Sequence, residues 1–185
     1  MKKFVITGAP GTGKTSIINH LKTKGYNCID EISREIISEQ IARNGEILPW
    51  KNLSAFSESV FKIRESQLLN CKNTLIFFDR GIVDIDAYMK LGKLEIPKHL
   101  EKSIKKNRYN TEVFYTPVWA EIYTNDEERK ESLDQAKQIE NEILSSYTFY
   151  NYQLIKIPKG SVEERANFIL SHIKKNRNIA INKKN

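Results

Sequence analysis

The sequence has few cysteines, few histidines and no long apolar run, and each shortage excludes a class of protein. Two cysteines, Cys28 and Cys71, are too few for a disulfide framework and are expected to be free core residues. The three histidines are scattered, so no Cys/His cluster has the spacing of a zinc site. The longest purely aliphatic or aromatic run, Leu75 to Phe78, is too short to cross a bilayer. No apolar stretch with a cleavage site follows Met1, so we expect no signal peptide and a cytoplasmic location.

Acidic residues are the minority charge, but the basic excess is concentrated at one end of the chain. The net charge is +7, and the segment 174–185 holds five cations and no acid, which leaves +2 for the rest. This distribution argues against a nucleic-acid partner. We therefore predict one domain over residues 1–173 and a basic, flexible tail over residues 174–185. The alternative for the tail is a docking arm for an acidic surface, a membrane included.

Strand-like and helix-like segments alternate along the whole chain. The predicted strands cover residues 3–7, 26–30, 75–79, 112–116 and 152–157, with amphipathic helices between them. On these helices Ile41 and Ile63 are among the residues expected to face the core. The alternation predicts an α/β fold, a doubly wound five-stranded parallel sheet with helices on both faces. Ligands of such folds bind at the carboxyl ends of the strands.

A glycine-rich segment follows the first predicted strand directly. Gly8-Ala9-Pro10-Gly11-Thr12-Gly13-Lys14-Thr15 matches the P-loop pattern G-x-x-x-x-G-K-[ST] at every position, between a strand and a helix. Successive backbone N–H groups and the helix N-terminus would bind the phosphates of ATP or GTP. Lys14 would reach the β- and γ-phosphates, and the Thr15 hydroxyl, with Ser16 beside it, is placed to bind Mg²⁺. The segment therefore identifies a P-loop NTPase fold that uses ATP, or alternatively GTP, with Mg²⁺.

An acid and an arginine end the most apolar strand. Asp79 stands where the second acid of a P-loop protein binds Mg²⁺ directly or through water, and the alternative is a cap for the next helix. Hydrolytic motors commonly have a glutamate next, whereas this chain has Arg80. An arginine suits contact with a substrate or with a transferring phosphoryl group, and its alternative is a surface salt bridge.

Charged residues also follow the second predicted strand. Glu31 is a candidate general base for an acceptor hydroxyl, and Arg34 a candidate ligand of the substrate or of a phosphate. Ordinary ion pairs and helix N-terminal charge are the alternatives for both, and more so for Glu35.

A charged run, residues 125–130, follows the fourth predicted strand. Arg129, and to a lesser degree Lys130, would suit a helical lid that closes over the phosphates and excludes water. The alternative is a solvated helix start.

Two tryptophans and two aspartates remain as weaker candidates. Trp50 and Trp119 lie in predicted loops, where each suits either a planar wall for a ring substrate or ordinary packing. Asp84 and Asp86 follow Arg80 closely and would suit substrate hydroxyls, with helix capping the better explanation for Asp84.

Four landmarks come in the order found in one known group of proteins. They are the P-loop, the segment 31–35, the segment 77–81, and Asn125-Asp126 with Arg129. The chain resembles, up to about Ile173, the AAA-type P-loop proteins related to the ribosylnicotinamide kinase domain of the NAD-biosynthesis regulator. It is more distantly similar to deoxynucleoside and thymidylate kinases, which have an Asp-Arg or Glu-Arg pair after the third strand. It departs from the ribosylnicotinamide kinase domain in the arginine at position 80.

This resemblance implies a role for each candidate residue. Lys14, Thr15 and Asp79 would serve ATP and Mg²⁺. Arg34 and Arg80 would face the substrate. Glu31 would be the base candidate and Arg129 the cation of the lid; the full catalytic set is then Lys14, Glu31, Arg34, Asp79, Arg80 and Arg129.

Two classes of function follow from these predictions. The leading hypothesis is a Mg²⁺-dependent kinase that transfers the γ-phosphoryl group of ATP to a nucleoside-like small molecule. The alternative is a nucleotide-dependent regulator, an ATPase or GTP-binding protein without an acceptor, with the basic tail as a lipid-binding arm. The chain lacks the Asn-Lys-x-Asp loop with which Ras-type GTPases read guanine, and it is too short for the second helical domain of an oligomeric AAA+ motor.

Overall fold

The computed structural model of the chain describes residues 2–72, 75–122 and 132–182. Within these ranges the strands are β1 (Lys2–Thr7), β2 (Asn27–Ile29), β3 (Leu75–Asp79), β4 (Glu112–Tyr115) and β5 (Gln153–Lys156). The α-helices are α1 (Lys14–Thr23), α2 (Ser33–Ala42), α3 (Leu53–Asn70), α4 (Ile82–Leu91), α5 (Lys98–Lys106), α6 (Leu133–Phe149) and α7 (Val162–Asn182). A short 3₁₀ helix covers Ala120–Ile122.

The five strands form one parallel sheet in the order β2-β3-β1-β4-β5. The register aligns Val5 of β1 with Phe78 of β3, and Thr7 of β1 with Tyr115 of β4. The predicted five-stranded parallel sheet is therefore confirmed. Because β1 pairs in parallel with β3 on one side and with β4 on the other, the loops that follow these three strands lie next to one another at the carboxyl ends of the strands.

Side chains of the central strands alternate between two apolar layers, as a sheet covered on both faces requires. Phe4 and Ile6 pack with Ile17 of α1 and Ile169 of α7 on one face. Val5 belongs to the larger core on the opposite face, which is formed with α3, α4, α5 and α6. The prediction of helices on both faces is confirmed.

Side chains close in sequence cap the starts of several helices. Ala55 N donates to the Asn52 side chain at the start of α3, at 3.0 Å. Ser161 and Glu164 form a capping box at the start of α7, since each backbone N–H donates to the other's side chain. At the start of α6 the Ser132 side chain accepts a hydrogen bond from Gln135 N at 3.2 Å.

Two apolar residues predicted to face the core are exposed. Ile41 is 57% exposed, whereas the neighbouring Gln40 is buried and its Oε1 accepts a hydrogen bond from Ile47 N at 3.1 Å. Ile63 is 37% exposed, whereas Arg64 beside it is buried. In both cases a polar side chain binds backbone groups of another segment, and this contact fixes which face of the helix turns inward.

The last helix passes through the predicted domain boundary at residue 173. Its backbone continues to Asn182, so residues 174–182 are helical. The predicted flexibility of the tail stays a prediction. None of the helices in the described ranges is long and apolar enough to cross a membrane.

Candidate active site at the phosphate loop

The phosphate loop connects β1 to α1 with a backbone that only glycine readily adopts. Gly8 has φ 137° and Gly13 has φ 80°, both in the region disfavoured for other residues. A Cβ on Gly8 would lie 2.4 Å from the Thr116 carbonyl oxygen, so the loop passes directly against the end of β4. The motif thus forms the tight strand-to-helix turn that the sequence predicted.

Contacts from distant parts of the chain hold this loop in place. The Thr12 hydroxyl donates to Ala9 O at 2.9 Å and lies 2.6 Å from the Thr116 hydroxyl. Arg165, at the first turn of α7, donates through Nη2 to Thr12 O at 2.6 Å. Sequence analysis missed Arg165. The available clue was its helical spacing, since Arg165 and the apolar Ile169 are four residues apart and therefore share a helix face.

Lys14 lies folded back over the loop. Its Nζ donates to Ala9 O at 2.7 Å, and the residue is only 6% exposed. Burial, followed by the positive charge of Arg80, lowers the pKa of Lys14 to about 7, although nearby carboxylates oppose the change. The buried ammonium group therefore lacks sufficient negative charge around it, which a bound phosphate chain would supply.

Thr15 and Asp79 meet at the mouth of the loop, as the sequence predicted for a metal site. The Thr15 hydroxyl donates to Asp79 Oδ2 at 2.9 Å. Asp79 is fully buried, and its Oδ1 has no hydrogen-bond partner among the described residues. Burial, together with Glu31, raises the pKa of Asp79 against the opposing effects of Lys14 and Arg80. An unpartnered carboxylate oxygen beside a hydroxyl and the phosphate loop fits Mg²⁺, which prefers oxygen ligands.

Few protein ligands are available for that ion. No group of three or more His, Cys, Asp or Glu side chains with metal-binding geometry occurs in the described residues. Mg²⁺ sites commonly take one or two protein oxygens and complete their shell with phosphate and water, and Thr15 and Asp79 would supply two such oxygens.

Arg80 occupies the centre of the site and is not a surface residue. It is 7% exposed and has φ 69°, while its backbone N–H extends the sheet by donating to Ile6 O at 3.0 Å. Its Nε lies 3.6 Å from Glu31 Oε2, and its Nη1 lies 3.1 Å from Asp84 Oδ1. The predicted alternative of a surface salt bridge is wrong, because both carboxylates lie inside the same cavity as the phosphate loop.

Glu31 faces the same cavity from the end of β2. Burial favours its neutral form, but Arg80, a hydrogen bond from Ser33 and the charge of Lys14 together hold the pKa of Glu31 below its ordinary value. The side chain is therefore an ionised carboxylate at neutral pH. Arg34 also lines the cavity, so the structure brings both residues predicted after β2 to the site.

The structure separates the two aspartates that follow Arg80. Asp84 Oδ2 accepts a hydrogen bond from Gly81 N at 2.8 Å, so its predicted capping of α4 is confirmed, and the residue also lines the cavity. Asp86 Oδ1 instead accepts a hydrogen bond from the Tyr150 hydroxyl at 3.0 Å, and Asp86 is not part of the cavity wall. The structure therefore does not bring Asp86 to the candidate site.

A second buried arginine was missed by sequence analysis. Arg64 of α3 is 1% exposed and lines the cavity, and its Nη2 donates to Asp79 O at 2.5 Å. It thereby holds the backbone of the residue proposed to bind Mg²⁺. No local pattern marks Arg64, because an arginine in the middle of a helix usually faces solvent.

These residues surround one continuous cavity of about 520 Å³. The phosphate loop forms one wall, and the charged residues described above lie at its centre. Trp119 and the first turn of α7 also line the cavity, whereas Trp50 is 57% exposed and is not in the wall. The apolar part of the wall is formed by Ile37, Leu53, Phe56, Val60, Ile85 and Tyr88.

The predicted lid lies outside the described residues. Arg129, Lys130 and the rest of the run 125–130 fall in the range 123–131, between the 3₁₀ helix and α6. The role of Arg129 as a lid cation stays a prediction.

Solved structures with this fold include several kinases. Deoxyadenosine kinase from M. mycoides, with dCMP and dCDP bound, matches with a TM-score of 0.65 at 18% identity over 94% of this chain and 99% of that chain. NadR protein in complex with NR matches with a TM-score of 0.67 at 15% identity over 94% of this chain and 50% of that chain. Shikimate kinase from Acinetobacter baumannii matches with a TM-score of 0.55 at 18% identity over 95% and 94%. At these identities the likeness shows the P-loop kinase fold alone.

The sequence comparisons assign the family. No curated protein matches this chain significantly. A family model described as an AAA domain matches residues 3–165, a range that contains the phosphate loop, strands β2 to β5 and all of β1 except its first residue. The chain therefore belongs to an AAA domain family.

Proposed function

We propose that this protein is a kinase that transfers the γ-phosphoryl group of ATP to a hydroxyl group of a small, nucleoside-like acceptor. The observation that carries the proposal is the ion pair of Glu31 and Arg80 in one cavity with the phosphate loop. Glu31, as a base for the acceptor, and Arg80, as a cation for the transferred group, would thus lie next to each other at the γ-phosphate of a bound nucleotide.

The nucleotide half of the site has the parts that phosphoryl transfer requires. The loop N–H groups and Lys14 would bind the phosphates. The negative charge of the phosphates would stabilise the ammonium group of Lys14, which burial disfavours. Thr15 and Asp79 would hold Mg²⁺, which neutralises charge on the β- and γ-phosphate oxygens when bound. Arg80 would stabilise the charge that spreads over the phosphoryl oxygens during transfer.

The charge of Glu31 favours a hydroxyl over a phosphate as the accepting group. Its lowered pKa keeps Glu31 ionised, so it can take the hydroxyl proton while the acceptor oxygen bonds to the γ-phosphorus. The bond from the γ-phosphorus to the bridging oxygen breaks, and ADP leaves with that electron pair. A monophosphate acceptor would instead bring negative charge against Glu31, and this repulsion costs affinity in a buried site.

The apolar part of the cavity wall supports a ring-bearing acceptor. Aliphatic and aromatic side chains from α2, α3 and α4 form this part, and Arg34 and Ser57 are polar residues of the same cavity. A nucleoside has this combination of a planar ring and a sugar hydroxyl. Deoxyadenosine kinase and the NadR protein, whose folds this chain shares, support a substrate of this type.

The test is acceptor-dependent turnover. Mg²⁺-ATP and Mg²⁺-GTP are each incubated with nucleosides, nicotinamide riboside and nucleoside monophosphates, and ADP or GDP and the phosphorylated product are measured by mass spectrometry. We expect turnover with a nucleoside-type hydroxyl that is lost in Lys14→Ala. In Glu31→Gln, kcat should fall by about 100-fold while nucleotide affinity is kept.

The alternative function predicts a different result. Nucleotide binding without acceptor-stimulated turnover anywhere in the panel would contradict the kinase proposal and favour a nucleotide-dependent regulator. Turnover with monophosphates and none with nucleosides would contradict the role of Glu31. Under the regulator hypothesis the basic segment 174–185 is the first part to delete, in an assay of binding to anionic lipid vesicles.

A further inference from the structure

The carboxylate of Asp84 is a buried junction between four parts of the fold. Its Oδ1 accepts hydrogen bonds from the Thr7 hydroxyl at 2.5 Å and from Arg80 Nη1 at 3.1 Å. Its Oδ2 accepts from Gly81 N at 2.8 Å and from the Tyr147 hydroxyl at 2.7 Å. Asp84 is 2% exposed, so these protein donors, and not water, fix its orientation.

Tyr147 is the contribution of α6 to this junction. The residue is fully buried, and burial together with Asp84 raises the pKa of Tyr147 far above its ordinary value, so the hydroxyl is a permanent donor. The hydroxyl also lies against the backbone of the Arg80 turn, since a Cβ on Gly81 would lie 2.8 Å from it. Tyr147 therefore touches both the acid that holds Arg80 and the turn that carries it.

Arg80 depends on such support because its conformation is otherwise unfavourable. Its φ of 69° is rare for a residue with a side chain, and its guanidinium lies between Glu31 and Asp84. If Asp84 rotates, Arg80 loses its closer carboxylate partner and keeps only Glu31 and the Tyr88 ring, whose centroid lies 5.5 Å from its Cζ. The guanidinium is then no longer held in the position that it has in this structure.

We infer that Tyr147 is a positioning residue, which acts through Asp84 to hold Arg80 in the geometry needed for phosphoryl transfer. This inference rests on the proposed function. It gives α6, the helix that follows the predicted lid, a direct hydrogen-bonded connection to the reacting centre. Small displacements of catalytic groups have large effects on rate, so the loss of this restraint should appear in kcat.

The chain contains a matched control for this hydrogen bond. Tyr150, at the C-cap of α6, donates its hydroxyl to Asp86 on α4 at 3.0 Å, and both residues are buried. Tyr147→Phe and Tyr150→Phe thus each remove one hydroxyl that connects α6 to α4, and the two accepting aspartates are two residues apart on α4. Of these aspartates, only Asp84, the partner of Tyr147, also pairs with Arg80.

The experiment compares the two variants with the wild type in three measurements. We expect Tyr147→Phe to lower kcat by about tenfold with an unchanged KM for ATP, and Tyr150→Phe to leave kcat within twofold. Urea unfolding should show comparable destabilisation of both variants, which separates positioning from stability. In ¹⁵N-labelled nucleotide-free protein, the Nε–H resonance of Arg80, assigned with Arg80→Lys, should shift in Tyr147→Phe and not in Tyr150→Phe.

Equal effects of the two variants on kcat, or a normal kcat in Tyr147→Phe, would overturn the inference. If the wild type has no acceptor-dependent turnover, the proposed function fails by itself. The Arg80 resonance then decides the positioning role, since an unchanged signal in Tyr147→Phe rejects it and a selective shift upholds it.

Discussion

Nucleotide binding should be accompanied by proton uptake above pH 7, because of the environment of Lys14. Burial and Arg80 lower the pKa of Lys14 to about 7 in the nucleotide-free protein. At pH 8 about nine tenths of the protein molecules then carry a neutral Lys14. The charge of a bound phosphate chain returns the pKa toward its ordinary value, so each binding event should take up about 0.9 proton at pH 8.

The same linkage fixes the pH dependence of affinity. The bound state favours protonated Lys14, so affinity falls as pH rises through the free-state pKa. Between pH 7.5 and pH 9 the dissociation constant of ADP should increase about 25-fold. The comparison starts at pH 7.5 because terminal phosphates, with a pKa of about 6, are ionised at this pH. Their titration therefore does not change the dissociation constant of ADP between pH 7.5 and about pH 9.

Titration calorimetry in buffers with different ionisation enthalpies measures this proton uptake directly. The control is Lys14→Met, which preserves the apolar stem and has no titrating group, studied at the higher ADP concentration that its weaker binding requires. We expect no proton uptake in this variant. A wild-type uptake below about 0.3 proton at pH 8 would refute the reasoning, because Lys14 would then be charged before the nucleotide arrives.

Three further predictions follow from the site. In urea unfolding, Gly8→Ala should lower the free energy of unfolding by about 3 kcal/mol, which is more than the effect of Gly25→Ala. Both glycines have positive φ, but only a Cβ on Gly8 would meet a backbone atom. Asp79→Asn should remove the Mg²⁺-dependent part of ATP affinity and leave Mg²⁺-free binding nearly unchanged, as measured by equilibrium dialysis. Tryptophan fluorescence should respond to nucleotide in Trp50→Phe and not in Trp119→Phe, since only Trp119 lines the cavity.

Each of these predictions has an outcome that contradicts it. Equal destabilisation by the two glycine substitutions would mean that the loop relaxes away from β4. An equal loss of ATP affinity with and without Mg²⁺ in Asp79→Asn would show a structural and not a metal-binding role. A nucleotide response that survives in Trp119→Phe would place the bound base elsewhere.

Sequence analysis was most successful where function depends on neighbouring residues. The phosphate loop is a continuous segment between a strand and a helix, so its glycines, Lys14 and Thr15 were identified together. Glu31, Arg34 and Asp79 could be selected because parallel strands place their carboxyl ends at one edge. The capping of α4 by Asp84 was also predicted, because a cap is formed within a few residues of the chain.

The failures of sequence analysis concern contacts between distant segments. Arg64 and Arg165 bind backbone carbonyls of Asp79 and Thr12, which are 15 and 153 positions away along the chain. Periodicity suggests which face of a helix is apolar, but it does not indicate the loop that the face meets. The same lack of information explains why Ile41 was expected to be buried.

The sequence by itself determined the sheet, the phosphate loop and the chemistry available at the strand ends, because these follow from local patterns and from the geometry of parallel strands. Only the tertiary structure decided how the charged groups are paired. It placed Arg80 between Glu31 and Asp84, and it brought Tyr147 of α6 to the same carboxylate. Such pairings depend on side-chain packing across layers that lie far apart along the chain, and no short-range pattern encodes them.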